Sequence, residues 1–266
     1  MERKLFLSDL DGTLLTSEKK VSPATREALE RFVGRGGRFC ICTGRALPNA
    51  MDEQKKLGLD YPGSFVVGYN GAEIYDCDHK KHVFRTTVPL EDVPGIFETA
   101  KEHGVHIQTY QSRYIVAEKY SEEMAYYRKI IHSPVIITDH VMDEVKEAPC
   151  KILAIELKDR EKNIRLKHAL EERFGDHLYL MFSNPWYLEI VPKDASKGKA
   201  LEKIRDYLGL RHEETMAAGD EENDIPMIRS AGLGIAMKNG TEAAKRSADA
   251  VTEEDNDHDG LVPFLT

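Results

Sequence analysis

Between Lys4 and Tyr69, and again after Pro192, short apolar runs alternate with amphipathic segments of helix length. No other feature restricts the fold so far. Strands linked by crossover helices hide both of their faces only in a parallel sheet covered on each side. Lys4–Asp9 is the first such run and ends in acid. Ser22 then caps a helix with Pro23 in its first turn and Ala28, Leu29, Phe32 and Val33 at helical spacing; Gly34, Gly36 and Gly37 stop it. Arg38–Thr43 is a second strand, with a helix starting at Gly44 and running to about Leu57. Ser64–Tyr69 is a third, followed by the tight-turn pair Asn70-Gly71 and another strand-like piece. The rhythm resumes with a helix over Ser196–Leu208, a strand over Thr215–Gly219, a helix over Asp224–Ala231 and a strand over Leu233–Met237.

From Thr87 to Val191 the pattern differs. Helices at Leu90–His103 and Asp159–Phe174 alternate with pairs of strands, including Val105–Thr109 with Tyr114–Ala117 and Leu178–Phe182 with Trp186–Val191. Lys151–Leu157 is a further strand. Helices followed by adjacent strands predict an α+β layer on an antiparallel sheet. The expected fold is therefore α/β: a doubly wound parallel-sheet core from residues 1–84 and 193–266, with an α+β module inserted at 85–192.

With 41% hydrophobic and 31% charged residues, the chain has the composition of an ordinary globular protein. A net charge of −9 disfavours nucleic acid and anionic membrane as partners. The apolar run at the N-terminus is too short for a signal peptide or a membrane span. Cys40, Cys42, Cys77 and Cys150 show neither metal-site nor disulfide spacing, and Cys40 and Cys42 read as small core residues. These features point to the cytoplasm and to a monomer or small homo-oligomer.

Asp9 and Asp11, in Asp9-Leu10-Asp11-Gly12-Thr13-Leu14-Leu15, lie at the carboxyl end of the first strand, where parallel sheets bind ligands. Two acids and a turn-permitting glycine make an oxygen-rich site suited to a hard cation such as Mg²⁺. Alone, this pattern is equally an acidic turn. A second acidic strand end, Gly219-Asp220-Glu221-Glu222-Asn223-Asp224, makes a shared site the better reading. Thr43-Gly44-Arg45 ends the second strand at an expected helix start, whose amides favour phosphate. Lys197 opens another helix at the end where its charge opposes the dipole, so a bound anion accounts for it better than helix stability does.

DLDGTLL, TGR, the lysine before a helix and GDEENDIPM together resemble the four motifs of the haloacid dehalogenase superfamily. Their order and the inserted module resemble its Cof-type branch, whose α/β cap lies between the second and third motifs. Val66–Tyr69 with Asn70-Gly71-Ala72, and Ala236–Asn239 with Ala248–Thr252, add to the likeness. Gly240 stands where alanine is common in that branch, a difference expected to be harmless. The resemblance implies a phosphohydrolase using Mg²⁺ and an aspartyl-phosphate. Asp9 would be the nucleophile and Asp11 the general acid, then base. Asp9, Asp220 and the backbone carbonyl of Asp11 would hold the metal, with Asp224 supporting that shell and orienting Lys197. Thr43, Gly44, Lys197 and Asn223 would hold phosphoryl oxygens, and Arg45 would reach toward cap or substrate. The substrate would be a small phosphorylated metabolite, sugar phosphates first. The reading requires Asp9 and Asp220 to lie close enough to share one ion.

A phosphomutase of the same superfamily would instead return phosphate to a second hydroxyl without releasing it. A receiver-like phospho-acceptor domain carries its aspartate on the third strand, whereas Asp9 ends the first. Asp255, Asp257, Asp259 and Gly260 open like a calcium loop, but its twelfth position falls on the last residue, Thr266, with no exiting helix. Asn239-Gly240-Thr241 reads as a turn, and Gly34–Gly37 follows a helix and is no dinucleotide fingerprint. Tyr126, Tyr127, His132 and Trp186 could line a substrate pocket, although aromatics at these spacings more often form core.

Overall fold

The computed structural model describes residues 3–131 and 133–266; His132, one of the candidate pocket residues, lies outside them. β1 (Leu5–Ser8) is buried throughout, and its alternate residues enter two different cores. Phe6 packs with Leu29 and Phe32 of α1 (Pro23–Gly34) and with Phe39 of β2 (Arg38–Cys42). Leu5 and Leu7 point the other way, joining Cys40, Cys42 and the third strand, β3 (Phe65–Gly68). Burial pushes the thiols of Cys40 and Cys42 upward, as suits inert core residues.

Ser22 caps α1 by accepting the Thr25 amide at 3.0 Å. The next helix, α2 (Leu47–Lys56), starts later than its sequence pattern predicts, with Pro48 in its first turn. Thr43–Ala46 is therefore a loop, not the first turn of a helix. After β3, Tyr69, Asn70 and Gly71 all take left-handed φ values of 51°, 55° and 102°. The chain then returns antiparallel as β4 (Glu73–Asp76) and β5 (Lys81–Arg85).

Two units follow from the contacts: Met1–Arg85 with Ala195–Thr266, and Thr86–Asp194. In the second, α3 (Val93–Glu102) leads into β6 (His106–Gln111) and β7 (Tyr114–Ala117). The short elements α4 (Glu122–Ile130), β8 (Val135–Ile137) and α5 (Val141–Glu144) come next. β9 (Ile152–Ile155), α6 (Arg160–Phe174), β10 (Leu178–Asn184) and β11 (Tyr187–Pro192) complete it. Its sheet runs β10-β11-β9-β6-β7-β8 and is antiparallel except at its edge, where β8 pairs parallel with β7. That exception departs from the expected antiparallel sheet and has a simple cause: α4 forms a crossover between the two strands. Ile96 and Phe97 of α3 and Leu166 and Leu170 of α6 bury the face carrying Ile107 and Ile152. On the other face, Tyr127 of α4 is buried with its hydroxyl 2.7 Å from that of Tyr110. Tyr127 is thus core, while Tyr126 meets the half-exposed Trp186 edge-on.

The first unit resumes with α7 (Lys197–Tyr207), β12 (Thr215–Gly219), α8 (Ile225–Ser230), β13 (Gly234–Ala236), α9 (Glu242–Ser247), β14 (Ala250–Val251) and α10 (Val262–Leu265). Its eight strands run β14-β13-β12-β1-β2-β3-β4-β5, parallel through β3, with α7 and α8 covering one face and α1 and α10 the other. This is the doubly wound core that alternating elements predict. The strand order reverses on either side of β1, so the carboxyl ends of β1, β2 and β12 open into one crevice. No helix among the described residues is long and apolar enough to cross a membrane.

Candidate active site

Parallel register sets the acidic half of the site. Ser8 pairs with Ala218, and the Asp9 amide donates to the Ala218 carbonyl at 3.0 Å. Asp9 and Asp220, each following its strand, therefore emerge side by side. The chain turns away at Gly12 with φ 84°, and a Cβ there would sit 2.4 Å from Asp220 Oδ2. Thr13 donates its hydroxyl to Asp220 Oδ1 at 2.6 Å.

Lys197, capped into α7 by Ser196, has no exposed surface. Its Nζ donates to Asp9 Oδ1 at 2.6 Å and to Asp224 Oδ1 at 2.5 Å. Asp224 Oδ2 in turn accepts the amides of Asp220 and Glu221, each at 3.0 Å. Oxygens of Asp9, Asp220 and Asp224 lie within 4.8 Å of one another. Asp9 and Asp220 are thus close enough to share an ion. Asp224 holds Lys197, as the resemblance implies, and Asp9 holds it as well, so two carboxylates explain its place at the start of a helix without a bound anion.

One ammonium pairs with two carboxylates, Asp9 and Asp224, while Asp220 lies beside them, and the electrostatics follow. Burial, then the charges of Asp224 and Asp220, raise the Asp9 carboxyl to about 7 against the pull of Lys197. Burial raises Asp220 to about 6, opposed by the Thr13 hydroxyl and reinforced by Asp224 and Glu221. Burial alone would depress Lys197, but Asp224 and Asp9 outweigh it and hold the ammonium charged. When all three carboxylates are ionised, they and one lysine leave two negative charges in excess. Lys197 and Thr13 each take one oxygen, of Asp9 and Asp220 respectively; the second oxygen of each has no protein hydrogen bond among the described residues. Hard oxygen donors with this charge surplus fit a divalent cation such as Mg²⁺. Asp224, with both oxygens engaged, fits better as a support than as a ligand.

The second half of the site faces this cluster from β2 and the loops beside it. Thr43 is buried after β2, and its Oγ1 accepts the Arg45 amide at 3.3 Å. Asn223 donates to Asn70 Oδ1 at 3.1 Å. Asp11 is half-exposed and bound by Lys19 at 2.7 Å and Arg45 at 2.8 Å. Partial burial pushes the Asp11 carboxyl up, but Arg45 and Lys19 prevail and hold it below its usual range. Arg45 is committed to Asp11, with Glu53 at 3.7 Å, and this differs from the expected reach toward cap or substrate.

Sequence reasoning missed Thr13, Lys19, Asn70 and Asn239. Asn239 donates to the Gly12 carbonyl at 2.7 Å, so the apparent turn at Asn239–Thr241 ties the loop after β13 to the loop after β1. Gly240 sits close against Asp220, and a Cβ there would meet the Asp220 carbonyl oxygen at 2.8 Å. The aspartates of the calcium-like stretch are occupied locally: Asp257 accepts from Ser17, Asp259 from Ser22 and Thr25, and Asp255 pairs with His258.

A family model described as haloacid dehalogenase-like hydrolase matches residues 6–265. A Bacillus subtilis 5-amino-6-(5-phospho-D-ribitylamino)uracil phosphatase, YitU, is 29% identical over 284 residues, covering 100% of this chain and 98% of its own length. The crystal structure of a haloacid dehalogenase-like hydrolase from Bacteroides thetaiotaomicron superposes with TM-score 0.90 at 30% identity, covering 99% of this chain and 98% of that one. TM0651 from Thermotoga maritima gives TM-score 0.87 at 33% identity, covering 100% and 97%.

Two outcomes follow for stability. Gly240→Ala should destabilise the protein by about 1–3 kcal/mol through the forced contact with Asp220, read as a lower urea midpoint. Asp9 has a folded-state value of about 7 against 3.8 for an unperturbed aspartate. The folded state therefore binds the extra proton between those values, and this group's contribution to stability falls as pH rises through that window. Asp9→Asn should raise the melting temperature of the metal-free protein at pH 8 by on the order of 5 °C, and by much less at pH 5. Equal shifts at both pH values in calorimetry would contradict the electrostatic account.

Proposed function

The chain belongs to the haloacid dehalogenase-like hydrolases and is a phosphatase of that family; from that premise we propose that it hydrolyses small phosphomonoesters through a phosphorylated Asp9. The observation that carries this reading is the oxygen cluster of Asp9, Asp220 and Asp224, two of whose carboxylates are bound by the Lys197 ammonium. In the proposed cycle an oxygen of Asp9 forms a bond to phosphorus while the ester P–O bond breaks. The leaving alkoxide takes a proton from Asp11. Water then attacks the aspartyl-phosphate, Asp11 takes its proton, and orthophosphate leaves with the Asp9 carboxylate restored.

Asp9, Asp220 and the Asp11 carbonyl would hold Mg²⁺, which when bound would cancel charge on the transferring phosphoryl group. Lys197 supplies a fixed positive charge beside Asp9, already desolvated and therefore needing no reorganisation as charge develops. Thr43, the Gly44 amide and Asn223 hold the remaining phosphoryl oxygens. Asp224 keeps Lys197 in place through its 2.5 Å contact. Asp11 must carry a proton in the first step, so it has to leave Arg45 and Lys19, which favour its ionised form.

The substrate class we favour is a sugar or sugar-alcohol phosphate. In its favour, the name of YitU specifies a 5-phospho-D-ribityl compound. The unit Thr86–Asp194 is assigned the choice of leaving group by analogy of fold.

The test is a phosphate-release screen over metabolite monoesters, with and without chelator. Orthophosphate release that needs Mg²⁺ is expected, together with acid-stable phosphoprotein on rapid quench. Asp9→Asn should lose both. Asp11→Asn should slow phosphorylation and dephosphorylation by about 10²–10⁴-fold. It should leave Mg²⁺ affinity close to wild type in calorimetry, since the side chain is not the ligand. Isomerised sugar phosphate without free orthophosphate would mark a mutase instead.

A further inference from the structure

The turn at Tyr69–Gly71 has no part in the cycle above, yet it touches three of the segments that build the phosphate half of the site. The Tyr69 amide donates to the Arg45 carbonyl at 2.8 Å and the Asn70 amide to the Thr43 carbonyl at 3.0 Å. These bonds fix the loop on both sides of Gly44. The Asn70 carboxamide lies against Gly44, where a Cβ would come within 3.1 Å of Oδ1 and 3.2 Å of Nδ2. Its Oδ1 also accepts the Asn223 side chain at 3.1 Å. Gly71 then presses on the residue before Lys197, since a Cβ would come 2.1 Å from the Ser196 carbonyl oxygen.

Such a turn is costly to form. Consecutive left-handed φ values at Tyr69 and Asn70 persist only where the surroundings impose them, and such positions cluster at functional sites. Asparagine tolerates this conformation better than most residues, and glycine tolerates it best. Backbone demand alone would therefore be met by glycine at position 70. The carboxamide adds an acceptor for Asn223 and a wall behind Gly44, and it does so without charge. A carboxylate would satisfy Asn223 equally but would place negative charge beside a bound dianion.

We infer that Asn70 is a positioning residue for phosphate recognition: its carboxamide orients Asn223 and backs the Gly44 amide, so that donors from separate loops converge on one anion. The inference rests on the proposed phosphate-binding role of Gly44 and Asn223. Asn70 is 2% exposed and acts through those groups, touching no reacting atom.

The test uses the Mg²⁺-loaded enzyme and orthophosphate, with affinity measured by calorimetry and by inhibition of p-nitrophenyl phosphate hydrolysis. Asn70→Gly keeps the backbone conformation and removes the carboxamide. It should lower the melting temperature by only a few degrees, about what one lost buried hydrogen bond costs, while weakening orthophosphate binding and raising KM by about tenfold. Asn223→Ala should weaken both by a similar factor. The double variant should lose less than the product of the two single losses, because the Asn70–Asn223 hydrogen bond is common to both while the contact with Gly44 belongs to Asn70 alone. Asn70→Asp should bind orthophosphate more weakly than Asn70→Gly. Wild-type affinity in Asn70→Gly, or multiplicative losses in the double variant, would reduce Asn70 to a backbone role and overturn the inference. Wild-type affinity in Asn223→Ala would overturn the phosphate-site assignment itself, and the inference with it.

Discussion

A single buried ammonium organises the site. Lys197 has no exposed surface, and its two carboxylate partners come from chain segments on either side of it. An unpaired buried charge is too costly to keep, so Lys197 can occupy this place only where carboxylates close on it, as Asp9 and Asp224 do. The requirement runs both ways. Asp9 ends β1, Lys197 opens α7 and Asp224 follows β12, so the pairing is satisfied only when the first and last thirds of the chain have assembled into one sheet. Asp224 then commits its other oxygen to the amides of Asp220 and Glu221, which fixes the loop after β12 at the same time.

The arrangement is not optimised for the protein alone. Three carboxylates around one lysine leave charge uncompensated, and burial raises both Asp9 and Asp220 well above ordinary carboxylates. A fold selected only for stability would replace one of these acids with an amide. Such an uncompensated oxygen cluster fits a divalent cation, and in the proposed cycle that cation would make a phosphate dianion acceptable beside it. The close packing around Asp220 has the same logic. Gly12 and Gly240 approach it so nearly that neither admits a methyl group, and Asn239 bonds across to Gly12.

Much of this was legible in the sequence. Alternating elements and capped helices revealed the parallel core, because local pattern and burial there agree: Phe6 faces one layer and Leu5 and Leu7 the other. Acidic strand ends revealed the residues suited to a cation, because strand order carries them to one edge. What the sequence hid depends on contacts that no local pattern records. From its helix position alone Lys197 read as anion-bound, and although the resemblance paired it with Asp224, its bond to Asp9, 188 residues away, was not foreseen. Asn70-Gly71 announced a turn but not that its side chain meets Gly44 and Asn223. The late start of α2 turned an expected helix terminus at Thr43–Arg45 into a loop, so the Asn70 turn, and no helix dipole, shapes that part of the site. In the other unit α4 was not predicted; there Tyr126 and Tyr127 read only as pocket or core aromatics.

Exposure separates the groups that must stay from the one that must change. Lys197, Asp9 and Asp224 have side-chain exposures of 0%, 12% and 1%, and each is tethered by more than one strong contact or by burial. Asp11 is different: its side chain is 42% exposed, as are 59% of Lys19 and 26% of Arg45, which hold it. Ion pairs in water contribute little, with a median near ~0–1 kcal/mol, so Asp11 can be released at small cost. In the proposed cycle this asymmetry is a requirement. The nucleophile and its lysine work best when they cannot move, whereas a group that gives a proton in one step and takes one in the next needs two environments. Lys19 and Arg45 supply the environment that favours the ionised form, the state needed to accept a proton from water. The acid form needed first must arise away from them, and the weakness of an exposed ion pair is what allows Asp11 to leave.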